Sequence, residues 1–338
     1  MTVAYRPPLP SELTECALVW YTAVDDYMAR LGRPLPSPYL DPLLTLLAHL
    51  LKTDPQRFLV AVRPARGASL DGGGQVVGFA IAAQREHVWF LSQLYVLPSD
   101  QGKGIGRALL TQVLPSLDLP ADEEAAGGAP AESAAPIDAV PSESAPPTQR
   151  PGVLATCTDS AQPISNGLYA RLGVVPRLPV FNLVGTPNPS ALARLPAGVE
   201  ATPFGSSDPT SAIDSVDRAV IGYAHATDHA YLRATGRTGF IYRAGNGELL
   251  GYGYSSEAGR FGPVALLDET LTAPVVGHLM SVIRPRGATT AWVPGTNDRA
   301  MVALLRAGLR IEGFPALICW TRPFGAFDRY LPASLALL

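Results

Sequence analysis

Apolar residues recur along the first hundred positions with two periods, and each change of period marks a new element. From Leu13 to Leu31 and from Pro42 to Lys52 they fall three and four apart, which predicts two amphipathic helices. Val3 to Arg6 reads as a short strand. RFLVAVR (Arg57–Arg63), QVVGFAIAA (Gln75–Ala83) and VWFLSQLYV (Val88–Val96) are rich in β-branched and aromatic residues. They predict three strands, with GASLDGGG (Gly67–Gly74) as the turn between the first two. A helix follows Gly104 and ends near Pro115. Later come a strand, VLATCT, a helix around Ser165–Leu172, and a closing pair of strands near PRLPVFNLV.

The same order then returns. VEATPF predicts a strand, and two helices follow between Asp208 and Thr235. FIYRAGNGELLGYGYSS predicts a hairpin turning at Gly245–Gly247. RFGPVALL predicts a strand, Thr270–Ile283 a helix, TTAWVP a strand, Asp298–Ala307 a helix, and RIEGFPALICW a closing strand pair. The halves share little sequence, so the repeat is one of structure. The expected class is α/β of the α+β kind: two tandem domains, 1–186 and 187–338, each a mixed, mostly antiparallel sheet flanked by helices.

One segment breaks the pattern. Asp118–Pro151 is rich in Ala, Pro, Ser and Glu with almost no large apolar side chains, so burial cannot offset its ordering entropy. It reads as a flexible acidic insertion in the first domain. Elsewhere the chain is apolar enough for a sizeable core, at 47%. A net charge of −3 argues against a nucleic-acid partner. No run of about 18 apolar residues occurs, so no membrane span is expected, and the N-terminus lacks the apolar segment of a signal peptide. Cys16, Cys157 and Cys319 are few and widely spaced, which fits a reducing cytoplasm and neither a disulfide framework nor a metal-ligand pattern.

The chemistry concentrates in LYVLPSDQGKGIGRALL (Leu94–Leu110). A strand ends at a proline, and a glycine-rich turn then opens a helix. A Walker loop would need Ser or Thr where Gly104 stands, and a dinucleotide loop would need glycine at Arg107. The spacing that fits is Gln101, two residues, Gly104, one residue, Gly106. With these flanks it resembles the acyl-CoA-binding loop of the GNAT superfamily of N-acyltransferases. QPISNGLYARLGVVPR (Gln162–Arg177) resembles that family's later motif, with Tyr169 and Gly173 in place, Gln162 at the usual Asn and Val174 at the usual Phe.

The resemblance implies an acetyl-CoA-dependent N-acetyltransferase acting on an amine-bearing acceptor by direct attack, in an intact N-terminal copy. It implies that amides and side chains of Gln101, Gly102, Lys103, Gly104, Ile105, Gly106 and Arg107 hold the pyrophosphate of coenzyme A, with Gln162 also on the cofactor. Leu94, Tyr95 and Val96 are then expected to pair with the pantetheine arm, and Tyr169 to protonate the leaving thiolate. The family's usual base positions fall on Phe90 and Ser92; Ser92 is the catalytic candidate there, and Glu86 and His87 could act through water. The alternative is a non-catalytic acyl-CoA-binding or sensor protein of the same fold. The expected assembly is a monomer or homodimer.

The second copy has ALLDETLTAP (Ala265–Pro274) where the loop should be. Asp268 and Glu269 would repel a diphosphate, and the tyrosine place is Leu304 in a motif that keeps its Asn297. A degenerate copy walling the first copy's cleft is expected. His225, Asp228 and His229 share one helix face at the spacing i, i+3, i+4. With no further ligand apparent along the chain, the expectation there is a polar surface or a substrate-facing wall, and no metal.

Overall fold

A computed structural model describes residues 3–64, 74–115, 151–204 and 210–338. The expected turn at Gly67–Gly74 and the insertion at Asp118–Pro151 lie outside the described residues, save for Gly74 and Pro151. In chain order the first half holds β1 (Ala4–Arg6), α1 (Leu13–Arg30), α2 (Asp41–Thr53), β2 (Phe58–Pro64), β3 (Gly74–Arg85), β4 (Val88–Val96), α3 (Ile105–Val113), β5 (Val153–Asp159), α4 (Pro163–Ala170) and β6 (Val175–Gly185). The second half holds β7 (Val199–Pro203), α5 (Thr210–Val220), α6 (Ala226–Ala234), β8 (Thr238–Ala244), β9 (Leu249–Ser255), β10 (Val264–Leu266), α7 (Thr272–Val282), β11 (Thr289–Pro294), α8 (Asp298–Arg306), β12 (Arg310–Ile311), β13 (Ala316–Trp320) and β14 (Tyr330–Leu331).

Among the described residues the strands form two sheets. One runs β1-β2-β3-β4-β5-β13-β6-β11, with β12 also on β6; the other runs β14-β10-β9-β8-β7. Neighbours pair antiparallel except β4 and β5, which run parallel. The two expected closing hairpins do not form. β6 is one long strand, and β12 and β13 lie in line along it rather than against each other. Gly313, at φ +76°, carries the bend between them.

The consequence is an exchange of last strands. β13, from the second half, sits between β5 and β6 of the first, with Cys157 opposite Ile318 and Ile318 opposite Leu178. β6 in turn runs on to pair with β11 of the second half from Val180 to Gly185. One apolar core crosses the junction: Val88, Phe90, Val153 and Ala155 pack with Val216, Val220, Tyr252 and Tyr330.

A polar clamp joins the halves beside this core. Asp228 of α6 is 3% exposed, contrary to the expected polar surface or substrate-facing wall. Its carboxylate receives Arg85 Nε at 2.8 Å and faces His49 Nε2 at 2.7 Å, both from the first half. Arg85 also donates to Asp54 at 2.8 Å. Burial pushes the Asp228 carboxyl up, but the bonds from His49 and Arg85 more than reverse this and hold it below the ordinary carboxylate range. Removing one member of a buried ion pair strands its partner, so Asp228→Ala is expected to cost about 3 kcal/mol, read as a lowered urea midpoint at unchanged slope.

Candidate active site

β4 and β5 stay together only from Val88 opposite Val153 to Leu91 opposite Thr156. The Thr156 hydroxyl donates to the Leu91 carbonyl at 2.9 Å and closes this paired end. Beyond it β4 continues along β3 while β5 continues along β13, and the two part. A cavity of about 550 Å³ opens in the gap. It brings together Ser92, Leu94, Tyr95, Val96, Gln101, Gln162 and Tyr169 of the expected site. The second half supplies part of its wall through Trp292, Phe314 and Ser334–Ala336.

The register of β4 decides which of its main-chain groups face the gap. Leu97 N–H donates to Val77 C=O at 2.9 Å, and Phe79 stands opposite Tyr95 two residues along. In an antiparallel ladder bonded pairs alternate. The main chain of Tyr95 therefore faces β3, and that of Leu94 and Val96 faces the gap. Tyr95 thus departs from the expected trio of main-chain partners; its ring instead lines the cavity and packs against Trp20 and Phe79. On the open side, the Gln101 carboxamide donates to Val96 C=O at 3.0 Å.

The glycine turn has the form its spacing predicts. Gly102 and Gly104 sit at φ +76° and +82°, which L side chains rarely adopt, and Gly104 is the N-cap of α3. Among the described residues no acceptor meets the N–H groups of Gly102, Lys103, Gly104, Ile105, Gly106 or Arg107. These donors stand at the positive end of the helix dipole, next to the cavity. A Cβ at Gly104 would meet nothing within 4 Å, so its φ rather than crowding by the protein favours glycine.

Lys103 does not reach outward as expected. Its ammonium turns back to the Ser99 carbonyl at 2.7 Å and Asp100 at 2.9 Å. Asp100, 3% exposed, also pairs with Arg63 and pins the turn to β2; the sequence analysis missed it. The Arg63 bond lowers its carboxyl to about 2, against opposing burial, so its contribution to stability is present above the ordinary carboxylate range and is lost as pH falls toward 2. Arg107 is exposed on the first turn of α3 and remains available as a cation.

Tyr169 projects from α4 into the cavity wall at 7% exposure. Burial, with Tyr95 adding to it, pushes its phenol well up and keeps the proton on, while nearby Ser165 opposes the shift. Gly173, at φ +74°, ends that helix turn: Gly173 N–H bonds Ala170 and Val174 N–H bonds Tyr169. Gln162 caps the start of α4, and its carbonyl accepts both the main-chain N–H and the side chain of Asn166.

The base candidates fare differently. The Ser92 hydroxyl donates to the Ala336 carbonyl at 2.8 Å. Phe90 is buried in the core shared by the halves. Glu86 and His87 lie at the far end of β4, outside the cavity lining, and Glu86 pairs with Arg218 at 2.8 Å. Asp159, at the end of β5, is the only charged residue lining the cavity among the described residues, and sequence reading passed it over. Burial and the Asp159 charge together raise the phenol of nearby Tyr27.

The second half repeats the frame and closes its own site. Asn297 caps α8 through Ala300 N–H at 3.0 Å, Leu304 is buried at the place of Tyr169, and Gly308 ends the turn at φ +96°. Asp268 occupies Thr270 N–H at 2.8 Å, so the turn before α7 meets one of its own donors with a carboxylate. β14 pairs with β10, Val264 opposite Leu331, filling the edge that in the first half borders the gap.

Residues 22–118 match the family model described as the acetyltransferase (GNAT) family. No curated protein matches the sequence. Solved structures share the fold along almost the whole chain, among them the following three. A candidate acetyltransferase from Pyrococcus horikoshii superposes with a TM-score of 0.68 at 13% identity, covering 99% of this chain and 96% of that one. A GCN5-related N-acetyltransferase from Sphaerobacter thermophilus gives 0.56 at 15% identity, over 95% and 96%. A tandem GNAT protein from the clavulanic acid biosynthesis pathway gives 0.51 at 14% identity, over 94% and 98%.

Proposed function

We propose that this chain, whose residues 22–118 carry a domain of the acetyltransferase (GNAT) family, transfers an acetyl group from acetyl-CoA to a primary amine in its N-terminal half. The observation that carries this reading is the run of amides from Gly102 to Arg107, unpartnered among the described residues, beside a gap between β4 and β5. Those donors suit the pyrophosphate of coenzyme A, and Arg107 adds charge at the rim. Leu94 and Val96 offer main-chain groups to an extended pantetheine arm lying in the gap. The Val96 N–H is placed to bond the thioester oxygen, where charge develops as the amine attacks. Tyr169 gives its proton to the departing sulfur. Asp159, a charge in the lining, holds a cationic acceptor's ammonium near the cavity and draws off a proton through water.

A thermal-shift screen tests the anion. Coenzyme A and acetyl-CoA should raise the melting temperature, and ATP and NAD should not. Gly104→Val forces a β-branched residue to φ +82° and is expected to weaken coenzyme A at least ~10-fold, with the apo melting temperature moving by only a few degrees. An unchanged affinity in that variant would overturn the loop assignment.

The second reading is an acyl-CoA-binding protein without turnover. It is favoured by the Ser92 hydroxyl, which is tied to Ala336 and leaves β4 without a base. Thiol release measured across primary amines separates the two: tight binding with no release on any amine selects the sensor.

A further inference from the structure

Three buried atoms that the proposed reaction does not use converge between α5 and α6. Asp217 of α5, His225 at the N-cap of α6 and His229 one turn on each offer one, all within 4.8 Å of one another. Asp217 Oδ2 lies 2.9 Å from His229 Nε2 and 3.4 Å from His225 Nε2. A tetrahedral ion about 2.1 Å from nitrogen and oxygen ligands holds them ~3.4 Å apart. The three residues are 0, 4 and 1% exposed.

Arg85 reaches Asp54 and Asp228, but among the described residues no guanidinium or ammonium pairs with Asp217. Among the described residues His225 Nε2, aimed at that carboxylate, has no hydrogen-bond partner. A fully buried carboxylate needs a countercharge, and only a proton on a ring or a metal ion can supply it at this point.

An outer layer of oxygens surrounds the trio. Tyr252 donates to the other carboxylate oxygen of Asp217 at 2.5 Å. His229 Nδ1 lies 3.1 Å from the Tyr254 hydroxyl, which accepts from Arg233 at 3.3 Å. His225 Nδ1 faces Asp228 Oδ2 at 3.8 Å. Each ring thus has an oxygen near its Nδ1, and both Nε2 atoms lie beside the same carboxylate oxygen of Asp217, the His229 Nε2 within hydrogen-bond distance of it.

We propose that Asp217, His225 and His229 bind one divalent cation of the zinc type, which fastens α5 to α6. The cavity of the proposed active site does not include these residues, so the role is structural. Along the chain only the two histidines and Asp228 share a face; the fold turns Asp228 to the outer layer and brings Asp217 in as the third ligand.

The test uses the full chain with any affinity-tag histidines removed. After loading with zinc and exhaustive dialysis, elemental analysis should give about one equivalent, and a chelator should lower the melting temperature. Asp217→Asn and His225→Gln should each retain under ~0.1 equivalent and lose the chelator response, whereas Asp214→Asn, on the same helix but outside the trio, should keep both. Should the two variants fail to fold, cobalt loading of the wild type decides: visible d–d absorption of a four- or five-coordinate ion is expected. Wild-type zinc under ~0.1 equivalent, equal zinc in wild type and folded variants, or a flat cobalt spectrum would each overturn the proposal.

Discussion

Tyr169→Phe is expected to lower kcat by about 10²–10⁴ while the affinity for acetyl-CoA changes by less than about threefold. The substitution removes one oxygen and keeps the ring that packs on Trp89, Leu110 and Cys319, so fold and cavity shape survive. What is lost is the one phenol of α4 in the cavity wall. Its burial favours the neutral form, so it stays a proton donor beyond pH ~10, the ordinary tyrosine value. The wild-type rate should therefore show no alkaline fall from this group below that pH. An equal loss of affinity and turnover would make Tyr169 a packing residue and return the acid role to the solvent.

Truncation after Gly185 should leave no folded first half: the fragment 1–185 is expected to lack a cooperative melting transition and to bind no coenzyme A. The reason is the strand exchange. Without β13, β5 loses its antiparallel partner from Ala155 to Asp159, and β6 has nothing beside it on either edge. The Asp228 clamp and the shared core around Val88 and Phe90 go as well. Two unpaired edges above an exposed apolar face favour aggregation over folding. A soluble fragment with a sharp melt and wild-type cofactor affinity would show that β6 can fold back into the place of β13.

Much of the first half could be read along the chain because its signals are local. The bounds of β4 (Val88–Val96) and β11 (Thr289–Pro294) match the runs that announce them, and α1, α2 and α3 fall within a residue or two of theirs. The glycine turn was readable for the same reason: positive φ at Gly102 and Gly104 is a property of those residues and their neighbours. The paired closing strands were not, since a β-rich run shows that a strand exists and not which edge it joins. Asp100, Asp159 and Asp217 were missed because nothing about a lone aspartate tells whether it will lie beside Arg63, in a cavity wall or against two histidines.

The sequence by itself determined the order of helices and strands, the doubled frame, the amide-rich turn at Gly104 and the loss of that turn in the second half. Each of these is written in residue-by-residue backbone preference and in the period of apolar side chains. The tertiary structure alone decided that β13 enters between β5 and β6 while β6 runs on to β11, that β14 covers the edge of β10, and that Ser92 is tied to Ala336. Those outcomes depend on which unpaired edges and buried charges meet across more than a hundred residues, and the free energy of such meetings belongs to the pair rather than to either segment.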